Sequence, residues 1–169
     1  MATVRTAEAH WEGSLMEGEG EVDLVSSGIG QFPVNWPSRA EQANGKTSPE
    51  ELIAAAHSTC FSMALSNGLA RAGHAPTSID TRADVTFQPG QGITGIKLTV
   101  KGVVPGLSAE EFESAAQDAK KNCPVSQALT GTTITLEASR ASRRARDGCA
   151  RRGRPPRLRP PAGGRCRLG

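Results

Sequence analysis

Between residues 79 and 101 the chain alternates apolar or small side chains with polar ones. Ile79, Thr81, Ala83, Val85 and Phe87 interleave with Asp80, Arg82, Asp84 and Thr86, and Ile96, Leu98 and Val100 interleave with Lys97, Thr99 and Lys101. Successive side chains of a strand point to opposite faces, so this pattern predicts two half-buried strands joined by a hairpin over residues 88–95. Two other stretches carry helical signals. Ser108 and Glu111 form a candidate capping box, and Phe112, Ala115, Ala116 and Ala119 recur at i, i+3, i+4 and i+7, which predicts a helix ending near Asn122. Ser48, Pro49 and Glu51 mark another helix start, with a hydroxyl cap, a proline in the first helical position and a glutamate three residues after the cap. Gly73 is its expected stop.

The remaining elements are shorter. Residues 21–25 predict a strand within a Gly-rich first segment, and residues 31–45, with Pro33, Pro37 and Gly45, read as a loop of the kind that carries functional side chains. Cys123-Pro124 opens a short helical turn, and residues 132–138 predict a last strand with Ile134, Leu136 and Ala138 on one face. Strands, helix, strands, helix, strand is an α+β order rather than a regular βαβ alternation. Residues 52–70 carry no charge, yet His57, Ser58, Thr59, Ser62, Ser66 and Asn67 make them too polar for hydrocarbon. The expected setting of that helix is protein, with burial on most sides and no membrane. Four Phe, two Trp and no Tyr leave little bulky apolar mass in one chain to cover it, which points to burial by a partner.

One domain is expected from 169 residues. The net charge of +3 hides a division, because residues 140–169 hold eleven arginines against a single acid, Asp147. Residues 1–139 are therefore acidic, at about −7, and the basic total is no argument for nucleic-acid binding by the domain. The boundary separates a folded domain, 1–139, from an Arg, Pro and Gly-rich tail, 140–169. The tail has the composition of a disordered basic arm, or of out-of-frame translation of GC-rich DNA, and the abruptness of the break favours the second. Cys149 and Cys166 lie in it and receive no chemical role. Residues 1–8 lack the apolar run of a secretory signal, so a cytoplasmic address is expected.

Cys60 and Cys123 each sit in a helical pattern, with no CxxC near either. In a reducing cytosol such a pair is more often catalytic, redox-sensing or metal-binding than a structural disulfide, although free cysteines also serve as small core hydrophobes. His57 lies three residues before Cys60, on the same helix face. His-x-x-Cys alone is a weak ligand pattern, and a buried, hydrogen-bonded histidine beside the site is the better reading, with no metal. The chain has no phosphate-cradling glycine loop, nucleotide fingerprint or haem motif. No cofactor is expected, and electrons would have to come through thiols.

Ala9-His10-Trp11-Glu12-Gly13, the run from Pro49 through Cys60 to Leu65, Pro76-Thr77-Ser78-Ile79-Asp80 and Asn122-Cys123-Pro124-Val125-Ser126 occur in that order. Together they resemble the OsmC branch of the OsmC/Ohr family, the osmotically inducible and organic-hydroperoxide-resistance proteins, over about residues 9–138. The resemblance implies an OsmC-like fold, with antiparallel sheets wrapped around central helices in an intertwined homodimer. It also implies a cysteine-based peroxidase that reduces organic hydroperoxides in oxidative or osmotic stress, recharged by a dihydrolipoyl protein or another dithiol reductant. Peroxide reduction needs one thiolate to attack an O–O bond and a second thiol to capture the sulfenic acid. Cys60, in the protected helix, suits the attacking role, and Cys123 the resolving one, through a Cys60–Cys123 disulfide.

Cys60 lies about eleven residues, roughly 16 Å, along its helix from Pro49, beyond reach of that helix's own N-terminus. A cation from elsewhere is required. Arg39, in the segment Pro37-Ser38-Arg39-Ala40-Glu41, matches the arginine that the family places over its reactive cysteine, and Glu50 matches the glutamate that orients it. Whether the pair serves Cys60 of its own chain or of a dimer mate stays open at this stage. The rival readings are a non-enzymatic redox sensor or stress-induced binding protein of the same fold, and a nucleic-acid partner acting through the tail.

Overall fold

The computed structural model describes residues 1–141. Its elements are, in chain order, β1 (Glu8–Glu12), β2 (Glu19–Asp23), β3 (Gln31–Asn35), α1 (Trp36–Ala40), α2 (Pro49–Arg71), β4 (Ser78–Gln88), β5 (Gly92–Val103), α3 (Ala109–Asn122), α4 (Pro124–Ala128) and β6 (Ile134–Arg140). The α+β order expected from the sequence is the one observed. The strands form two separate three-stranded sheets, β1-β2-β3 and β4-β5-β6.

The first sheet is antiparallel throughout. In the second, β4 and β5 form the expected antiparallel hairpin, but β6 pairs parallel to β5, with Ile96 opposite Ile134 and Leu98 opposite Leu136. The expected antiparallel sheets hold except for this one parallel pair, which corrects the expectation for β6. After β5 the chain crosses through α3 and α4 before returning in the same direction, and a crossover of this kind is what a parallel pair requires.

The core lies between this second sheet and the helices. Phe61, Leu65 and Leu69 from α2, Phe112, Ala116 and Ala119 from α3, and Leu98 and Val100 from β5 are buried in one cluster. Gly102 permits the tightest of these contacts, because a Cβ there would stand 2.4 Å from the Phe112 ring. The helix ends obey local chemistry. Ser48 Oγ accepts from the Glu51 N–H at 3.1 Å, but the Glu51 carboxylate takes the Thr47 hydroxyl at 2.8 Å, so only half of the expected capping box forms. The Ser108–Glu111 box is complete. Gly73, at φ +86°, closes α2, with its own N–H on Ala70 O and that of His74 on Leu69 O.

Of residues 31–45, expected as a loop, only 41–45 are one, because 31–40 form β3 and α1. Pro33 is tolerated in β3 because β3 is an edge strand, and Asn35 then caps α1, its side chain accepting from the Ser38 N–H at 2.9 Å. Burial of α2 within one chain is one-sided. Glu50, His57, Phe61, Leu65 and Leu69 are buried, whereas Ala55, Ala56, Thr59, Met63 and Asn67 are exposed, so the chain covers one face of this helix and leaves the other open. The β6 strand runs through Arg140, and the Ala141 N–H reaches Gly102 O, so regular structure passes the expected boundary at residue 139. The expectation for the rest of the tail, residues 142–169, lies outside the described residues. Among those described, no helix is long and apolar enough to cross a membrane.

Candidate active site

Pro124 disfavours the helical conformation in the residue before it. Cys123 accordingly adopts φ −66°, ψ 120°, ending α3 and capping α4 in one step. The break turns the fully buried Cys123 thiol against α2, where it neighbours the partly exposed Cys60. Both thiols are free. The backbone amide of Val125, in the first turn of α4 and without a partner within its own helix, also lies close to the Cys60 sulfur. Burial pushes the Cys60 thiol above its ordinary pKa, the Val125 N–H opposes that rise by favouring the thiolate, and the neighbouring Cys123 adds to it.

A second contact joins the same two elements. His57 is completely buried one turn before Cys60, and its Nε2 lies 2.8 Å from the hydroxyl of Ser126, which is also buried, on α4. Burial lowers the pKa of His57. Its Nδ1 is buried without a partner among the described residues, an arrangement that costs about 1–3 kcal/mol. The sequence reading of a buried, hydrogen-bonded histidine beside the cysteines agrees with this geometry.

Arg39 and Glu50 form the other cluster. Arg39 Nη2 and Nε both donate to Glu50 Oε1, at 2.9 and 3.0 Å. Glu50 is only 6% exposed, so its carboxylate depends on this partner. The guanidinium carbon lies 4.2 Å from the Phe87 ring centroid and 6.0 Å from that of Trp36, and the two rings meet edge to face. A cavity of about 260 Å³ opens beside it, lined by Trp11, Leu15, Val22, Trp36 and Leu52 with Arg39 as its cation. The four residues singled out from sequence thus fall into two pairs, Cys60 with Cys123 and Arg39 with Glu50. Glu50 precedes Cys60 by ten residues of α2, about 15 Å along the axis.

A family model described as OsmC-like protein matches residues 42–138. The chain belongs to the OsmC-like family. Peroxiredoxin OsmC of Escherichia coli (strain K12) is 46% identical over 140 residues, spanning 81% of this chain and 96% of that protein. Organic hydroperoxide resistance protein OhrA of Bacillus subtilis (strain 168) is 34% identical over 128 residues, spanning 72% of this chain and 88% of its own. Among solved structures, an organic hydroperoxide resistance protein from Elizabethkingia anophelis matches with a TM-score of 0.63 at 26% identity, covering 83% of this chain and 100% of that one. Sequence reasoning missed three features of this OsmC-like site: Ser126, the Val125 amide, and the aromatic pair around Arg39. The one available signal was a spacing, since Ser126 follows Cys123 by three residues as His57 precedes Cys60 by three.

Proposed function

We propose that this OsmC-like chain is a thiol peroxidase that reduces organic hydroperoxides to alcohols in defence against oxidative or osmotic stress. The observation that carries the reading is the contact between the Cys60 and Cys123 thiols, brought from distant parts of the sequence. The Cys60 thiolate attacks the peroxide oxygen remote from carbon. An S–O bond forms as the O–O bond breaks, the alkoxide leaves and takes a proton, and Cys60 becomes a sulfenic acid. The Cys123 thiol then attacks that sulfur, forming a disulfide and releasing water. A dithiol such as a dihydrolipoyl protein restores both thiols by exchange and is itself oxidised to a disulfide. A cytoplasmic setting fits that demand for a dithiol. The names of the relatives, peroxiredoxin and organic hydroperoxide resistance protein, agree with this chemistry. The apolar cavity beside Arg39 suits a hydroperoxide with a hydrocarbon substituent.

The working unit in this reading is an intertwined homodimer. Two uncovered surfaces support it: the β1-β2-β3 sheet, which has no buried residue, and the exposed face of α2 around Met63, itself 67% exposed. A second copy that covers both would also bring its Arg39–Glu50 pair to Cys60, which lies about 15 Å along α2 from the Glu50 of its own chain. The deciding experiment supplies one equivalent of hydroperoxide to wild type, Cys60→Ser and Cys123→Ser and follows peroxide loss and protein mass. Wild type is expected to close the disulfide and turn over with a dithiol. Cys60→Ser should consume nothing, and Cys123→Ser should stop at sulfenic acid. Equal single-turnover loss in wild type and Cys60→Ser would sink the assignment, and wild type that oxidises once and is recycled by no dithiol would be a sensor instead.

A further inference from the structure

We propose that His57 and Ser126 are a positioning pair that locks α4 onto α2, so that the Val125 amide and the Cys123 thiol both stay on Cys60. The inference rests on the reading of Cys60 and Cys123 as the reacting thiols, and it assigns a role to two residues that the peroxidase chemistry leaves unused. Its basis is a parallel between two cross-links. His57 and Cys60 are one turn apart on α2, Cys123 and Ser126 are three residues apart at α4, and each residue of one pair meets its counterpart in the other.

α4 has five residues, too few to persist as a helix without tertiary support. Among the described residues its side-chain hydrogen bonds are Ser126 to His57 on α2, and Gln127 Nε2 to Lys121 O at 3.0 Å on α3. Only the first of these ties α4 to the helix that carries Cys60. Loss of the Ser126 hydroxyl therefore frees the turn to move relative to the Cys60 sulfur while its link to α3 survives.

The state of His57 separates positioning from proton transfer. Nε2 is engaged by Ser126, Nδ1 is enclosed without a partner, and the ring has no exposed surface, so neither nitrogen has a route to a peroxide or to a leaving alkoxide. A leucine or phenylalanine would fill the volume without an orphaned nitrogen. A buried group with such a defect calls for a local reason, and its hydrogen bond to Ser126 is the one contact that an apolar side chain could not make.

The test compares wild type with Ser126→Ala, Ser126→Thr and His57→Gln. One readout is the Cys60 thiolate titration, followed by ultraviolet absorbance and by alkylation rate against pH. The other is the rate of Cys60–Cys123 disulfide closure after one equivalent of hydroperoxide, with thermal melts in parallel. Ser126→Ala is expected to move the titration upward by about one pH unit and to slow closure about tenfold. Ser126→Thr, which keeps the hydroxyl, should restore both, and His57→Gln, whose amide can still donate to Ser126, should keep most of the closure rate. A Ser126→Ala protein with wild-type titration and wild-type closure would overturn the proposal. So would complete loss of closure in His57→Gln beside normal closure in Ser126→Ala, because His57 would then be transferring a proton. The titration needs no peroxide turnover. If wild type consumes no hydroperoxide, the peroxidase reading fails while the titration still decides the pair.

Discussion

Residues 1–48 and residues 49–141 are built on opposite terms. The first region satisfies its backbone in a three-stranded antiparallel sheet yet contains no buried residue, and β1 is exposed along its whole length. The second closes a core of Phe61, Leu65, Leu69, Leu98, Val100 and Phe112 within one chain. Hydrogen bonding gives the first region its shape, but apolar burial is the larger stabilising term, and there the first region falls short. Arg39 belongs to the region without a core and both sulfurs to the region with one. The candidate cation and the candidate thiols thus come from regions of opposite build.

The contrast can be broken at several points, and Cys60→Ser has the largest expected effect. Peroxide consumption should fall to background while the denaturation midpoint stays near wild type, because the change removes the nucleophile and leaves the core cluster in place. Phe112→Ala should do the converse. It removes a fully buried ring from the second region and should lower stability by about 3–5 kcal/mol in chemical denaturation, with the same loss at every protein concentration. A much smaller loss would mean that the core is not self-contained.

Arg39→Ala tests the division of the site. It should leave the Cys60–Cys123 contact intact, strand Glu50 at a cost of about 1–3 kcal/mol, and raise the Cys60 pKa in the assembled dimer. Raising the pH should recover the part of the rate lost to ionisation. A pH series of single-turnover oxidation checks this, and an unchanged thiolate titration with a uniformly lower rate would leave Arg39 a role in binding peroxide only.

Trp11→Ala, in the uncovered sheet and 41% exposed in one chain, should act through assembly. Its destabilisation should appear as a shift of the monomer–dimer equilibrium in sedimentation and should shrink as protein concentration rises. Concentration-independent behaviour in both variant and wild type would remove the dimer from the account.

The smallest effect is the pH response of His57. Unfolded imidazole titrates at the ordinary value of 6.5, and burial lowers the folded value, so below 6.5 the unfolded state binds more protons. Stability from this group is complete above 6.5 and declines as the pH falls, by at most ~1.4 kcal/mol per pH unit. His57→Gln should remove that slope from denaturation midpoints measured over the same range, and identical slopes would show that the histidine is not held neutral.

The amino-acid sequence by itself determined the features that depend on neighbours along the chain. Alternation at residues 79–101 gave the β4–β5 hairpin, and the Ser108–Glu111 box and Gly73 set the ends of α3 and α2, because pleat, cap and left-handed stop are short-range effects. The motifs around Cys60 and Cys123 gave the family for the same reason. Tertiary structure decided whatever depends on which elements meet. The parallel seat of β6 has the same period as an antiparallel one, and Pro33 reads as a loop residue unless its strand is known to lie at an edge. The open face of α2 looks apolar whether or not anything covers it. Only packing could show that Val125 and Ser126 face α2, and that Arg39 holds Glu50, ten residues and about 15 Å along the helix from Cys60. Such contacts join residues far apart in sequence, and no local period records them.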